Sequence, residues 1–278
     1  MIRNARRFIR KMRGGAQAHL LEADDGRFYV VKFLQNPQHR RVLVNELIAS
    51  TFLHYLQVST PEPAIINVTE EFLAANPEVH IHLGERKIPV RAGWHYGSSF
   101  PGDPARVAVY DFLPDALLRQ VVNLSHFLGA LVADKWMANA DGRQSVYFRA
   151  RVTEWTASRE PGTARAGFLA WMIDQGFIFN GPHWDFPDSP LLGLAPRPAV
   201  YEGVRSVEDF QPWLDQVVHF PEEVMDEALK RVPAQWLNGD EDALEALLER
   251  LARRRRRVPD LLLECRNARS APFPNWRN

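Results

Sequence analysis

The sequence predicts an α+β protein with two lobes: a small, β-rich N-terminal lobe that holds one main helix, and a mostly helical C-terminal lobe. In the first 113 residues, short apolar runs separated by turn residues surround one helical stripe, and helical stripes fill most of the chain that follows. The 278 residues are 46% hydrophobic, which suffices for a packed core. We place the N-terminal lobe at residues 1–113 and the C-terminal lobe at residues 114–278.

The composition excludes several classes of protein. Basic and acidic residues each number 34, so the formal net charge is zero and no overall charge favours nucleic acid or an anionic membrane. A single cysteine, Cys265, excludes an intrachain disulfide and a cysteine-based zinc site, and it fits the reducing cytoplasm. No run reaches the roughly 20 apolar residues of a membrane span. The basic N-terminus lacks the apolar segment of a signal peptide, and we interpret it as a solvated terminus.

The first predicted element is a β-hairpin. An Asp-Gly pair at residues 25–26 separates two apolar runs, and the second run ends at Lys32. Period-two alternation puts Lys32 on one face with Phe28 and Val30, either as a functional cation or as a charge that protects an edge strand. Paired glycines before the hairpin let backbone N–H groups approach a phosphate, although such pairs also occur in ordinary loops. The loop residues are Gly14, Gly15, Ala16 and Gln17.

A helix is predicted from Arg40 to about Gln57. Its apolar stripe steps by four and three residues, but Glu46 occupies one position in that stripe. A carboxylate on a buried face requires a cation, and Lys32 is the available partner; alternatively, Glu46 only borders the stripe. A strand lysine followed by a helix glutamate is the pair that protein kinases use to hold ATP phosphates.

The segment from residue 64 to residue 113 is predicted to begin and end with strands. Between the strand expected at 64–68 and the candidate buried strand at 106–113, residues 70–104 are rich in glycine and proline and are predicted to be irregular. The end of the second strand is the proposed hinge between the lobes, and Tyr110 and Phe112 are assigned there to the cofactor site. Three histidines lack metal-ligand spacing and are interpreted as surface residues: His80, His82 and His95.

The stretch 133–148 holds the candidate catalytic residues. It follows a helix predicted from Asp115 and precedes a strand predicted at 145–149, and it contains Asp134, Asn139 and Asp141. Further on, the apolar strand 167–173 ends in Asp174, and glycine follows two residues later. An acid beside a flexible glycine suits a metal ligand in a cleft better than it suits packing. The remaining helices are predicted at 207–220, 222–231 and 240–257, and the five arginines 253–257 are interpreted as a solvated helix end.

In chain order, these features supply a phosphate-binding loop, a cation with its orienting acid, a catalytic carboxylate and a Mg²⁺ ligand, as phosphoryl transfer requires. Together they resemble the HipA-like kinases, relatives of the type II phosphatidylinositol 4-kinases in the protein-kinase-like superfamily. The resemblance implies a two-lobed protein-kinase-like fold, ATP with Mg²⁺, a serine or threonine acceptor on a protein and, as in the toxin members, an antitoxin-like partner. The matching segments are Gly14 to Gln17, Val31 to Phe33, Asn45 and Glu46, Asp134 to Arg143, and Ile173 to Gly176.

The resemblance leaves two registers for the catalytic loop. Asp134 and Asn139 have the five-residue separation of the base and the metal-binding asparagine in ordinary protein kinases. In the related lipid kinases, the last aspartate of an Asn-x-Asp motif is catalytic, and Asp141 holds that place in the turn before the strand. We assign Asp141 as the base, and Asp134 and Asn139 as residues that shape the loop. The metal-binding asparagine after Asp141 is missing, so Gln144 is the nearest carboxamide to join Asp174 as a metal ligand.

The leading hypothesis is an ATP-dependent protein serine/threonine kinase. A lipid or small-molecule kinase is the first alternative, and the lack of a membrane-binding segment argues against the lipid form. A nucleotide-binding pseudokinase is the second, and the presence of Lys32, Glu46, Asp141 and Asp174 argues against it. The chain starts close to the glycine loop, so we expect the N-terminal subdomain of full-length HipA to be absent. That departure weakens the transfer of HipA's substrate class and antitoxin partner to this chain.

Overall fold

The N-terminal part of the computed structural model, which describes residues 2–151 and 166–277, is a closed five-stranded barrel. The strands follow the order β1, β2, β3, β7, β4, and parallel pairing of β1 with β4 closes the barrel. An Asp-Gly turn joins β2 to β3, which confirms the predicted hairpin. The strands are β1 (Ile2–Lys11), β2 (His19–Ala23), β3 (Phe28–Lys32), β4 (Pro63–Val68) and β7 (Gly93–Ser99).

Helix α1 (Arg41–Tyr55) confirms the helix predicted from Arg40 to Gln57. Residues 42–50 are all buried, so the helix is enclosed on every side rather than along one stripe. One side faces the C-terminal part of the molecule, where Phe52 stacks on Trp136 with ring centroids 5.4 Å apart. Because polar groups inside such a helix must find partners, α1 positions its polar side chains firmly.

The basic N-terminus is not the solvated terminus that the sequence suggested. Residues 2–11 form β1, which pairs with β2 on one side and β4 on the other. Most of the side chains of β1 are exposed or partly exposed, and this explains the polar sequence. The backbone hydrogen bonds, which no side-chain pattern reveals, hold the strand in the barrel.

The prediction that residues 70–104 are irregular is wrong. The segment forms α2 (Glu70–Ala75), a hairpin of β5 (His80–Leu83) and β6 (Arg86–Pro89), and strand β7. Strand β7 lies between β3 and β4, so tertiary pairing overrides its glycine- and serine-rich sequence. A Cβ atom on Gly97 would lie 2.5 Å from Ile66 Cγ1, which explains why glycine is used in this strand.

His95, interpreted from the sequence as a surface residue, is buried in β7. Its Nδ1 accepts a hydrogen bond of 3.0 Å from the backbone N–H of Leu34, and its Nε2 lies 3.1 Å from the carbonyl oxygen of Arg91. The ring therefore holds the chain just after β3 against the start of β7. This arrangement requires a neutral imidazole, since one ring nitrogen must accept.

Acidification is expected to destabilise the protein through His95. Burial lowers the pKa of His95 to about 4, from an ordinary value of 6.5. The unfolded chain binds the proton more readily, so stability is lost as the pH falls below 6.5, by about 2 kcal/mol at pH 5. Urea unfolding at pH 7 and pH 5 measures the loss. His95→Gln should reduce the pH dependence and His82→Gln, at an exposed site, should not; equal pH dependence in both variants would contradict this account.

A second sheet lies beside the barrel and contains β10 (Ala166–Ile173), β9 (Gln144–Arg151) and β8 (Val109–Tyr110), in that order. Strands β9 and β10 confirm the strands predicted at 145–149 and 167–173. The prediction of a buried strand at 106–113 is wrong, because only two of these residues are in a strand and most are exposed. Strand β8 precedes the proposed lobe boundary at residue 113, but it pairs with β9, which follows that boundary.

The helix predicted from Asp115 is divided into α3 (Asp115–Leu118) and α4 (His126–Met137). Asn123 explains the break. Its amide donates to the carbonyl of Ala170 at 2.8 Å, and its side-chain oxygen accepts from the N–H of Ala170 at 2.9 Å. The segment between the helices thus follows β10 instead of continuing as helix.

The C-terminal part is mostly helical, as predicted, although the helix expected at 207–220 is reduced to a 3-10 turn and a short α-helix. Its large core contains the fully buried Trp136 and Trp236. Within the described residues, none of the helices has both the length and the apolar character needed to span a membrane. The helices are α5 (Trp213–Val218), α6 (Glu222–Lys230), α7 (Ala234–Leu237), α8 (Glu241–Arg254) and α9 (Val258–Arg266).

The arginine run at the end of α8 is not simply a solvated helix end. Arg254 lies 2.6 Å from Asp188 and donates to the carbonyl of Trp136 at 3.0 Å. Arg257 also pairs with Asp188, at 3.3 Å, and Arg255 pairs with Glu222 at 3.0 Å. These arginines attach a loop and neighbouring helices to α8. Fewer arginine side chains of the run therefore remain available to bind nucleic acid.

Candidate active site

Lys32, Glu46 and Asp174 form one cluster, in which the first two side chains are buried and the Asp174 side chain is 30% exposed. Lys32 ends β3, and its Nζ contacts the Glu46 carboxylate on α1 and lies 2.7 Å from Asp174 Oδ1. Lys32 is 8% exposed and Glu46 is 3% exposed. Burial alone would lower the pKa of Lys32, but Glu46 and Asp174 outweigh it and raise the pKa above its ordinary value. The lysine therefore stays charged at neutral pH, between two carboxylates from distant parts of the chain.

Asn45, next to Glu46, attaches α1 to the segment that follows Asp174. Its side-chain amide donates to the carbonyls of Gly176 at 2.8 Å, Ile178 at 3.1 Å and Gly181 at 3.1 Å, and its oxygen accepts from the indole of Trp184 at 2.9 Å. All four contacts are buried, where hydrogen bonds are costly to lose. Asn45 thus fixes the distance between the glutamate and the strand-end aspartate.

The turn after α4 presents Asp141. Helix α4 ends at Met137, and its C-cap residue Ala138 adopts a left-handed conformation with φ +49°. The side-chain oxygen of Asn139 then accepts the backbone N–H of Asp141 at 3.2 Å, and its amide donates to Asp134 at 3.0 Å. Burial, then the negative charge of Asp174, raise the pKa of Asp141, and Lys32 opposes them. Asp141 is partly exposed, and the charges of Asp174 and Lys32 both act on its carboxylate.

Asp134 lies beneath this turn and has no exposed surface. Its two oxygens contact the Arg143 guanidinium, one of them at 2.8 Å. Arg143 also donates to the carbonyl of Ile173 at 3.2 Å and to the side-chain oxygen of Gln175 at 2.5 Å. Burial would lower the pKa of Arg143, but Asp134 outweighs it and raises that pKa, whereas burial raises the pKa of Asp134. The Asp134 oxygens accept from N–H donors of Arg143 and Asn139, and such contacts favour the ionised carboxylate. Arg143 thereby joins the turn that holds Asp141 to both residues that flank Asp174.

The loop of residues 14–17 joins β1 to β2, beside the strand that carries Lys32. Gly14 has φ +116°, a conformation that glycine adopts readily. Gln17 pairs with the backbone of His82: its oxygen accepts the N–H at 2.6 Å and its amide donates to the carbonyl at 2.7 Å. The Gln17 side chain therefore attaches the loop to the β5–β6 hairpin, and its amide is committed to that contact.

The comparisons with known proteins decide the family. The family model described as HipA-like kinase matches residues 6–146, half of the chain, and this range includes Lys32, Glu46 and Asp141. The chain belongs to the HipA-like kinase family. No curated protein shows significant sequence similarity to it.

Solved structures show the same fold for this HipA-like kinase. The crystal structure of the Golgi casein kinase has a TM-score of 0.52 and 14% identity, and the match covers 96% of this chain and 74% of that chain. The structure titled as the same kinase with Mn/ADP bound has a TM-score of 0.52 and 13% identity over the same shares of the two chains. At this identity the likeness shows a mixed α+β, kinase-like fold, as the sequence predicted.

Three residues assigned from the sequence to ligands have exposed side chains. Tyr110 and Phe112 are 43% and 62% exposed, and the Arg197 guanidinium lies 4.5 Å from the Phe112 ring centroid. Gln144 is exposed and faces Ile173 across the β9–β10 ladder. A cavity of about 910 Å³ adjoins the chain directly after β7, and Phe28, Phe100 and Trp171 are among the described residues that line it. Its described lining includes neither Tyr110 and Phe112 nor Lys32, Glu46, Asp141 and Asp174, so this cavity is not the site that those four residues form.

The donor set of this HipA-like kinase fits a divalent cation. Asp141 and Asp174 are carboxylates close enough for the charge of Asp174 to raise the pKa of Asp141, after burial as the larger cause. Mg²⁺ is usually held by one or two carboxylates together with substrate phosphates and water. Within residues 2–151 and 166–277, no cluster of three or more histidine, cysteine or acidic side chains could hold a metal by itself. Substrate phosphates would therefore have to complete the coordination.

The sequence did not assign roles to three residues that build this site. Arg143 and Asn45 lie in segments that match the family, but the sequence pattern predicted no role for either side chain. A polar residue between apolar helix positions, such as Asn45, does signal a buried hydrogen bond. Gly193 has no local signal. A Cβ atom there would lie 2.2 Å from Asp134 Cβ, and Gly193 has φ +71°.

Gly193→Ala is expected to destabilise the HipA-like kinase by about 1–3 kcal/mol, because the new methyl group would displace Asp134 and the left-handed backbone would be strained. Since Asp134 contacts Asn139 and Arg143, which hold the turn that presents Asp141, we expect the turnover number to fall as well. Urea unfolding and an ATP-turnover assay measure the two effects. Gly203→Ala is the matched control, because a Cβ atom at Gly203 meets nothing within 4 Å. Equal stability of the two variants would contradict the packing account.

Proposed function

We propose that this HipA-like kinase transfers the γ-phosphoryl group of ATP to a serine or threonine hydroxyl of a protein. The observation that supports it most is the contact of Lys32 with both Glu46 and Asp174, with Asp141 within electrostatic reach. Phosphoryl transfer depends on positioning and on charge stabilisation, and these four side chains come from the four segments that supply such parts in kinases.

Lys32 would bind the ATP phosphates while Glu46 holds its ammonium group in place. The backbone N–H groups of residues 14–17 would approach the same phosphates. Asp174, together with Gln144 as the sequence suggests, would hold Mg²⁺, whose charge would offset that of the transferred group. A Golgi casein kinase structure of similar fold has Mn/ADP bound, which supports the use of a nucleotide with a divalent ion.

Asp141 would act as the base. The acceptor hydroxyl oxygen forms a new bond to the γ-phosphorus, the bond from that phosphorus to the bridging oxygen of ADP breaks, and the hydroxyl proton passes to the Asp141 carboxylate. The raised pKa of Asp141, caused by burial and then by Asp174, makes it a better proton acceptor than an ordinary aspartate. Asp134 and Asn139 would shape the turn, consistent with their hydrogen bond to each other.

A protein substrate, an antitoxin-like partner and a cytoplasmic location belong to the same proposal. They rest on membership of the HipA-like family and on the single cysteine, and not on a feature of the site.

Transfer of label from γ-labelled ATP tests the proposal. The purified chain with Mg²⁺ is offered a panel of proteins, its own chain, phosphoinositide vesicles and small alcohols. We expect label on protein serine or threonine, lost in Asp174→Asn and kept in the exposed control Asp111→Asn. Label only on lipid or a small alcohol would support the other kinase class. ATP binding without turnover in the unmodified chain would support a pseudokinase.

A further inference from the structure

A second cavity lies outside the proposed ATP site, at the N-terminus of α1. It has a volume of about 600 Å³, and residues 35–40, between β3 and α1, form one wall. The β5–β6 hairpin and Arg91 form the other wall. The glycine loop adjoins it, because an ideal Cβ atom on Gly15 would lie 3.0 Å from Gln38 Nε2.

Two residues that line this cavity, Asn36 and Arg40, each carry a buried donor atom without a partner. Asn36 is 7% exposed, and its Oδ1 accepts the backbone N–H of Gln38 at 2.9 Å, which fixes the orientation of the side chain. The Asn36 Nδ2 group is buried and has no hydrogen-bond partner in the structure. Arg40 Nε is buried and unpartnered in the same way, although the other end of that guanidinium reaches Asp240 at 3.3 Å. Buried polar groups are normally satisfied, so each of these donors would gain from an acceptor bound in the adjoining cavity.

The charges around the cavity favour an anion. Its described lining includes Arg40 and Arg91 and contains no aspartate or glutamate. The neighbouring Asp240 is occupied by Arg40 and Arg41, the latter at 2.8 Å. Helix α1 is 15 residues long and has no acidic residue in its first turn, so its positive N-terminal dipole is uncompensated by a carboxylate of its own.

The opposite wall is apolar. Ile81 is fully buried, Ile88 is partly buried and Leu83 is 45% exposed, and all three belong to the β5–β6 hairpin. A free phosphate ion would leave this wall uncovered. An anion attached to an apolar group would use both walls.

We propose that this cavity binds a phosphorylated peptide segment, with the phosphoryl group at Asn36, Arg40 and Arg91 and an adjacent apolar side chain against Leu83 and Ile88. The site lies between two parts of the proposed ATP site, since the wall of residues 35–40 follows Lys32 directly and leads into the helix that carries Glu46. A ligand there would contact the glycine loop through Gln38. Occupation of the site would therefore favour one position of the lysine–glutamate pair.

Calorimetry on the full chain without nucleotide tests this proposal independently of any kinase activity. The probes are a short Leu-pSer-Leu peptide, the same peptide without phosphate, and inorganic phosphate. We expect the phosphopeptide to bind at least about 10-fold more tightly than either of the others, since charge-assisted hydrogen bonds and apolar burial each contribute about that factor. Equal affinity for the unphosphorylated peptide would overturn the anion site, and equal affinity for inorganic phosphate would overturn the peptide ligand.

Two variants locate the binding. Asn36→Asp keeps the oxygen that accepts the Gln38 N–H but replaces the unpartnered donor by a negative charge, and Arg91→Gln removes an exposed cation of the lining. Each should weaken phosphopeptide binding at least about 10-fold. Arg86→Gln, on the same hairpin but outside the lining, should not change it. Unchanged binding in both Asn36→Asp and Arg91→Gln would overturn the proposal.

Discussion

Asp141→Asn is expected to reduce phosphoryl transfer by about 10²–10⁴-fold, the usual contribution of a general base. The amide has the shape of the carboxylate but cannot accept the hydroxyl proton. Asp141 is partly exposed, and its backbone N–H is already held by Asn139, so the loop should keep its conformation. The measurement is the turnover number with saturating ATP and Mg²⁺, beside ATP affinity, which should change little.

The same experiment decides between the two registers of the catalytic turn. Asp111→Asn, at an exposed site, is the control and should retain full activity. If Asp141→Asn keeps its activity while a folded Asp134→Asn variant loses all transfer, then the assignment of Asp141 as base is wrong. The structure makes that outcome unexpected, because Asp134 has no exposed surface and both of its oxygens contact Arg143.

The sequence predicted the elements whose side-chain periodicity is strong. Lys32 and Glu46 could be paired because period two defines a strand face, and because a carboxylate inside an apolar helix stripe requires a cation. Asp174 could be placed because a solid apolar run ends directly before it. Lys32 also contacts Asp174, which lies 142 positions further along the chain. No local pattern relates these two residues, and only the family resemblance predicted that they belong to one site.

Strands β1 and β7 and the β5–β6 hairpin could not be predicted in this way. Strand β7 contains glycine and serine and gains its structure from pairing with β3 and β4, and β1 has mostly exposed side chains. Local preference therefore gave no signal, and long-range backbone pairing determined the outcome. The break between α3 and α4 has the same origin, since Asn123 bonds to a residue 47 positions away.

Arg143→Met is expected to destabilise the protein by about 3–5 kcal/mol, because Asp134 would remain buried without its counter-ion. The pair has no exposed side-chain surface, so water cannot compensate. Turnover should fall together with stability, since Arg143 also holds the carbonyl of Ile173 and the side chain of Gln175, on either side of Asp174. Urea unfolding measures the first effect, and the turnover number of the folded variant measures the second.

The double variant Asp134→Asn with Arg143→Met separates charge from packing. It removes both charges of the pair and keeps an oxygen that can accept the Asn139 amide, so it should lose clearly less stability than the sum of the two single variants. Its turnover should stay low, because the link from the Asp141 turn to Ile173 and Gln175 is still missing. If turnover recovers together with stability in the double variant, Arg143 is only a counter-ion for Asp134, whereas additive losses of stability would contradict the ion-pair account itself. Non-additive stability with persistent loss of turnover would instead assign Arg143 to the positioning of Asp141 against Asp174.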